Sequence, residues 1–442
     1  MTVRPAGASP PGPPLSLRRA HAGSPEERSS SLFRTKGDRT IARSPWLILI
    51  IILGSGIAAT LNQFKVPPVM PLLMEAFNQT AGRAGLLMSI FALTGLLLAI
   101  PSGFILQKLG YRACGLCALA FVAIGVSWGF FSRGIGAMLS SRFVEGIGLS
   151  LMAVTGPEII ALWFAAEKRG RAMAIWSLWV PLGSVSMLIL APLLAVHWGW
   201  RAVWQFALCY TIVIGLLFHF LIKSRTGPPS GQERSDWCRN LTMESLGEVL
   251  RNRNLWLVSL LFGCFNFVTV SFVTWAPTFL HVTRHATLVR AAHAISLANL
   301  SSMAAAPMAG WILDRKGPRK LLCALPLFAM ALLLPFGGSV REGVFLVLTI
   351  ALGLLAGLVP TGVFSGAVEI AGDERLAGMA VAVILVGQNS GMLLGPLVFG
   401  RLVESRGWET AFWALGPVAV LGALAALAAD FSRGRPVVTC RA

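Results

Sequence analysis

Gly103-Phe-Ile-Leu-Gln-Lys-Leu-Gly-Tyr-Arg112 returns 207 positions later as Gly310-Trp-Ile-Leu-Asp-Arg-Lys-Gly-Pro-Arg319. Other short matches keep nearly the same offset. Arg169-Gly-Arg-Ala-Met-Ala174 answers Arg375-Leu-Ala-Gly-Met-Ala380 at 206, Gly199-Trp200 answers Gly407-Trp408 at 208, and Gly183 with Pro192 answers Gly387 with Pro396 at 204. A near-constant period over matches this far apart marks an internal repeat. The chain is read as two similar halves, and the quoted stretch as the same loop in each.

Composition sets the medium in which these halves fold. With 55% hydrophobic residues, 13% charged and a mean hydropathy of +0.71, the chain is too apolar for water to be its main solvent. Apolar segments fall at 46–66, 84–106, 113–132, 136–163, 172–196, 201–222, 255–280, 288–312, 321–338, 343–369, 377–402 and 409–430. Each is long enough to cross a hydrocarbon layer of about 30 Å as a helix. The apolar runs are continuous rather than alternating, which excludes a membrane barrel. The expected fold is all-α and integral to the membrane, with twelve transmembrane helices in two pseudo-symmetric six-helix bundles.

The divisions follow from composition. Residues 1–45 are a basic, Pro/Ser/Gly-rich tail expected to be disordered, without the apolar core of a cleavable signal. The N-terminal half is 46–222, the C-terminal half 255–430, and 431–442 a short tail. Between the halves, 223–254 is a polar linker whose Leu241, Leu246, Val249 and Leu250 repeat at helical spacing, as in a helix lying on a membrane surface. The net charge of +18 has no need of nucleic acid: 27 Lys and Arg fall on the side of the termini and 9 on the other, so the positive-inside rule places both termini in the cytoplasm. A bacterial inner membrane and a monomer are expected.

The loop Gly310 to Lys320 carries the pattern G-x-x-x-D-R-x-G-x-R-[RK] in full. In this it resembles the major facilitator superfamily, and the resemblance covers Trp46 to Asp430. It implies a solute cavity between the halves near the bilayer midplane, reached alternately from either side. It also implies a conformational clasp at the two loops, formed by Gly103, Gln107 and Arg112 in one half and Gly310, Asp314, Arg315, Gly317 and Arg319 in the other. The first loop departs from the pattern, with Gln107 where an acid is usual. Gly310 is expected to let two helices approach closely, and Asp314 to accept hydrogen bonds at a neighbouring helix N-terminus. Alternatively the loop charges only set topology.

Charges inside a span are functional candidates. Arg142 and Glu145, three residues apart, share a face of span four. Arg142-Phe-Val-Glu-Gly-Ile-Gly148 resembles the family's span-four signature, which implies a part in proton coupling for this pair; an internal ion pair that packs the span is the alternative. Lys65 either meets an anionic solute or snorkels to the outer headgroups. The remaining solute-contact candidates are Asn62, Gln63, Trp179, Asn266, Trp275, Asn299, Gln388 and Asn389, each equally explained as helix packing.

These features favour transport of a small organic or inorganic anion, by proton symport or down its own gradient. Two readings stay open beside it, a proton-coupled exporter of amphipathic drugs or cations and a non-transporting sensor or assembly partner. An enzyme is not expected, because no nucleophile–base set, metal spacing or phosphate loop is visible, and no cofactor is expected either.

Overall fold

The computed structural model describes residues 44–99, 101–223, 247, 249–315, 319–372 and 374–431. The tail 1–43, most of the linker with Leu241 and Leu246, and 432–442 lie outside them, as does Gly317. Among the described residues, ten helices are long and apolar enough to cross a membrane. Gly407 (φ +84°) divides the last of these into two, and Leu288–Asp314, 27 residues long, adds another, making twelve.

Span 1 is Pro45–Ala76 and span 2 begins at Ala81–Leu98. Gly110, at φ +77°, separates span 2 from span 3 (111–130) within one continuous helical stretch. Spans 4 to 6 are Ile135–Trp163, Glu167–Trp198 and Trp200–Leu221. Spans 7 to 10 are Arg253–Arg284, Leu288–Asp314, Arg319–Gly338 and Glu342–Ala371. Spans 11 and 12 occupy 374–406 and 408–428.

The repeated Gly-Trp pairs have a backbone cause. Gly199 (φ +77°) and Gly407 (φ +84°) turn the chain from one span directly into the next, in a left-handed conformation that strains any residue with a Cβ. The tryptophan that follows then opens the new helix. Trp200 packs on Phe77 at 5.5 Å and Trp408 on Phe279 at 5.5 Å. Trp46 and Trp198 are exposed, as interfacial residues are.

Close helix approach repeats with the same period. A Cβ on Gly146 of span 4 would meet Thr94 Oγ1 and the Phe91 carbonyl of span 2; one on Gly353 of span 10, 207 residues on, would meet Ser301 Oγ and the Ala298 carbonyl of span 8. The same glycine therefore seats the same helix pair in each half, with no side chain between the backbones. Gly310 corrects one expectation, since a Cβ there would meet nothing and close helix packing does not explain it.

The halves meet along two seams. Span 2 lies on span 11, where Gly85 faces the Pro396 carbonyl and Gly400 the Ala81 carbonyl. Span 5 lies on span 8, where His293 Nε2 is 3.2 Å from the Ile189 carbonyl. These contacts close the end of the molecule that carries the span 1–2 and span 11–12 connections.

Candidate functional site

Span 1 is broken in its C-terminal part, and its sequence says why. Its first helix is Pro45–Phe64, followed by a 3-10 turn Pro67–Val69 and a second helix Met70–Ala76. Proline has no N–H, so Pro67 and Pro68 cannot donate to the carbonyls of Gln63 and Phe64 one turn back. In hydrocarbon such orphaned carbonyls need another donor. The sequence alone ends this span at 66, whereas the break lies inside a span that runs to Ala76.

Arg142 of span 4 supplies a donor to the first of these carbonyls, that of Gln63, and to its neighbour at Asn62. Its Nη2 gives a hydrogen bond to the Gln63 carbonyl at 2.9 Å, Nη1 one to the Asn62 carbonyl at 2.5 Å, and Nε one to the Leu87 carbonyl of span 2 at 3.2 Å. A guanidinium at the C-terminal end of the first helix also opposes the negative end of its dipole. The Phe91 ring lies 4.5 Å from the guanidinium carbon.

Glu145, one turn along span 4, completes the cluster. Its Oε2 accepts from Arg142 Nη1 at 2.5 Å and its Oε1 from Lys65 Nζ at 2.8 Å. Lys65 also donates to Asn62 Oδ1 at 2.8 Å and stands 4.6 Å from the Trp204 ring of span 6. Asn62 is held by its amide, which donates to the Ala58 carbonyl and to Thr211 Oγ1. Lys65, Arg142, Glu145 and Asn62 are all fully buried, so the snorkelling alternative for Lys65 is excluded. Two cations face one carboxylate, leaving a formal excess of one positive charge among side chains with no exposed surface.

Room for this cluster comes from small residues. A Cβ on Gly125 of span 3 would collide with Glu145, and one on Gly129 with Trp204. The second half keeps the frame without the charges: 207 residues on, Lys65, Arg142 and Glu145 are answered by Phe272, Thr349 and Leu352. There, where Ala298 answers the bulky Phe91, a cavity of about 70 Å³ remains, lined by Thr269, Asn299 and Ser302 among apolar side chains.

The other candidates lie apart from the cluster. Gln63 joins it only through its carbonyl. Trp179 stacks on Trp176 at 5.1 Å. Asn266 donates to the Phe262 carbonyl of its own helix, and Trp275 is buried with its Nε1 on the Pro396 carbonyl at 2.9 Å. Asn299 Nδ2 and Gln388 Oε1 are buried without a hydrogen-bond partner. Asn389 donates to Leu385, and its Oδ1 faces Gly95 across the seam.

Of the loop residues, Gly103 is buried, Gln107 is exposed and Arg112 donates to the His219 carbonyl at 3.0 Å. Arg315 stacks on Trp311 and Arg319 pairs with Glu369 of span 10 at 2.5 Å. Asp314 ends the helix of span 8. Sequence reading missed Trp204, Phe91, Glu369 and the Lys65–Glu145 pair; the Pro67-Pro68 step signals only the break in span 1. Among the described residues, no group of three or more His, Cys, Asp or Glu is placed to hold a metal.

Comparison with known proteins agrees with this architecture. The chain is 24% identical over 390 residues to the phosphoglycerate transporter protein of Salmonella typhimurium, covering 78% of this chain and 80% of that one. It is 20% identical over 404 residues to the hexuronate transporter of Bacillus subtilis, covering 86% and 93%. A shorter match, 26% identical over 180 residues, covers 41% of this chain and 38% of an uncharacterised MFS-type transporter of Bacillus subtilis. Among solved structures, a bacterial homologue of the lysosomal transporter spinster, described as inward-facing and occupied, superposes with a TM-score of 0.74 at 15% identity, over 89% of this chain and 100% of that one. The family model described as Major Facilitator Superfamily matches residues 48–378, and the chain belongs to that family.

Proposed function

We propose that this chain is a secondary transporter that carries a small anion by alternating access, with Glu145 exchanging the proton of a proton–anion symport. The observation that carries this reading is the excess positive charge of the Lys65–Arg142–Glu145 cluster. The break of span 1 packs against spans 5, 7 and 8 of the seam region, so the charge stands directly behind the place where the halves meet. In a low dielectric an uncompensated cation favours an anion at short range. The phosphoglycerate and hexuronate carried by two relatives are such anions.

Glu145 explains how proton and solute are linked. As a carboxylate it occupies Lys65 and part of Arg142. Protonated, it leaves two cations to be compensated, and an anionic solute at the seam does so. Each ligand thereby strengthens the binding of the other, a coupling that is reciprocal by thermodynamic necessity. Asn299, Gln388 and Asn389 are the solute contacts we favour, since the first two hold buried polar atoms free for a partner. The protein works as a monomer in a bacterial inner membrane with cytoplasmic termini, a placement supported by the excess of Lys and Arg on that side.

Ligand-induced thermal stabilisation tests the charge preference. The purified protein is heated with phosphoglycerate, a uronate, the matching uncharged sugar and a lipophilic cation. A ligand at one hundred times its Kd adds about 2.7 kcal/mol of stability. Stabilisation by the anions, larger at lower pH, is expected; stabilisation by the cation or the neutral sugar alone overturns the reading.

A further inference from the structure

At the closed end, span 2 begins without a cap of its own. Thr80 stands at the N-cap position of its first turn but makes no side-chain hydrogen bond there, which leaves backbone N–H groups at the positive end of a helix dipole unsatisfied. Across the seam, near the end of span 11, Glu404 Oε2 accepts a hydrogen bond from the Gly82 N–H at 3.1 Å. The position of the missing Gly82 Cβ is taken by that carboxylate and by the stem of Arg401, so only glycine lets the carboxylate reach the N–H. The neighbouring contacts, Gly85 on Pro396 and Gly400 on Ala81, hold the two helices in the register this bond needs.

The other seam is built differently. Glu404 is answered, 207 residues earlier, by His197, and Gly82 by Val289. His197 is exposed and lies against Trp198. That seam is instead tied deeper, by His293 to the Ile189 carbonyl.

We infer that Glu404 is a latch: its carboxylate caps the N-terminus of span 2 from the opposite half and holds this end of the transporter shut. The bond joins the two halves, so any motion that parts span 2 from span 11 must break it. It acts through charge as well as contact, because an anion at a helix N-terminus is stabilised by the dipole and a neutral amide much less so. The inference rests on the alternating-access reading only in that this end must open.

Distance measurement between spin labels tests it, with Ala76→Cys and Arg406→Cys on a background whose seven native cysteines are replaced by alanine. The protein is reconstituted whole in lipid. Short distances are expected to dominate in the otherwise unchanged chain. E404Q, which keeps the shape and loses the charge, is expected to raise the ratio of long to short distances about fivefold, with E404D falling between the two. G85W serves as a wedge, since its ring cannot share the seam with Pro396. A long-distance population that G85W enlarges and E404Q leaves unchanged overturns the latch and spares the transport reading. No long distances in any variant, G85W included, overturns both.

Discussion

Lys65 and Glu145, 80 residues apart in the chain, form a 2.8 Å ion pair with neither side chain exposed. Because Arg142 holds the other carboxylate oxygen, the three charges do not contribute alike. Removing Glu145 leaves two buried cations. Removing Arg142 leaves a neutral pair and takes the guanidinium donors from the Asn62 and Gln63 carbonyls at the break of span 1. Removing Lys65 leaves a neutral Arg142–Glu145 pair.

The order of loss follows. Glu145→Gln is expected to destabilise by about 3–5 kcal/mol, the range for leaving a buried charge without its partner, and Arg142→Met by about 1–3 kcal/mol for each buried carbonyl that loses its donor. Lys65→Met is expected to cost less, about 1 kcal/mol, since the excess charge leaves with it. Thermal unfolding in lipid nanodiscs gives the order, and a Lys65→Met loss as large as that of Glu145→Gln contradicts the charge count.

Arg142 and Pro67 act on the same carbonyl. Restoring a backbone N–H with Pro67→Ala offers Gln63 O a second donor, so Arg142→Lys is expected to be milder in that background. A double-mutant cycle read by unfolding free energy should show coupling of about 1 kcal/mol. Additive costs would mean that the capping of span 1 is not what Arg142 does.

Gly146 is a packing position with a defined obstacle. Gly146→Ala places its methyl against Thr94 Oγ1 and the Phe91 carbonyl, with an expected cost of about 1–3 kcal/mol. Thr94→Ala should recover part of it by removing the hydroxyl that obstructs. Absence of any rescue places the strain at the Phe91 backbone instead.

Asn299 carries a buried amide donor without a partner on the wall of the C-half cavity. Asn299→Leu removes that donor and fills space, so stability is expected to rise by about 1 kcal/mol. If Asn299 meets the solute, transport falls while stability rises. A gain in stability with unchanged transport removes it from the site.

Much of this architecture is legible in the sequence, and the illegible part has specific causes. The offset of 207 finds the two halves and even the Gly199 and Gly407 turns, because duplicated local geometry keeps its residues. Span 1 was read too short because Pro67-Pro68 resembles a boundary. In fact the prolines remove hydrogen bonds inside a span, and Arg142 answers the Gln63 carbonyl there. The Lys65–Glu145 pair could not be read, since nothing local joins residues 80 apart. Gly310 shows the opposite error, a small residue taken for a helix contact where no neighbour stands.

The central claim is that a buried positive excess, titrated through Glu145, lets the chain carry an anion with a proton. Uptake into proteoliposomes under an imposed proton gradient, comparing the unchanged chain with Glu145→Gln, measures this most directly. The account predicts gradient-driven accumulation of an organic anion by the unchanged chain, and for Glu145→Gln exchange of that anion without accumulation, the retained exchange showing that the variant is folded. Undiminished accumulation by Glu145→Gln, or accumulation of an uncharged or cationic solute in place of the anion, would contradict it.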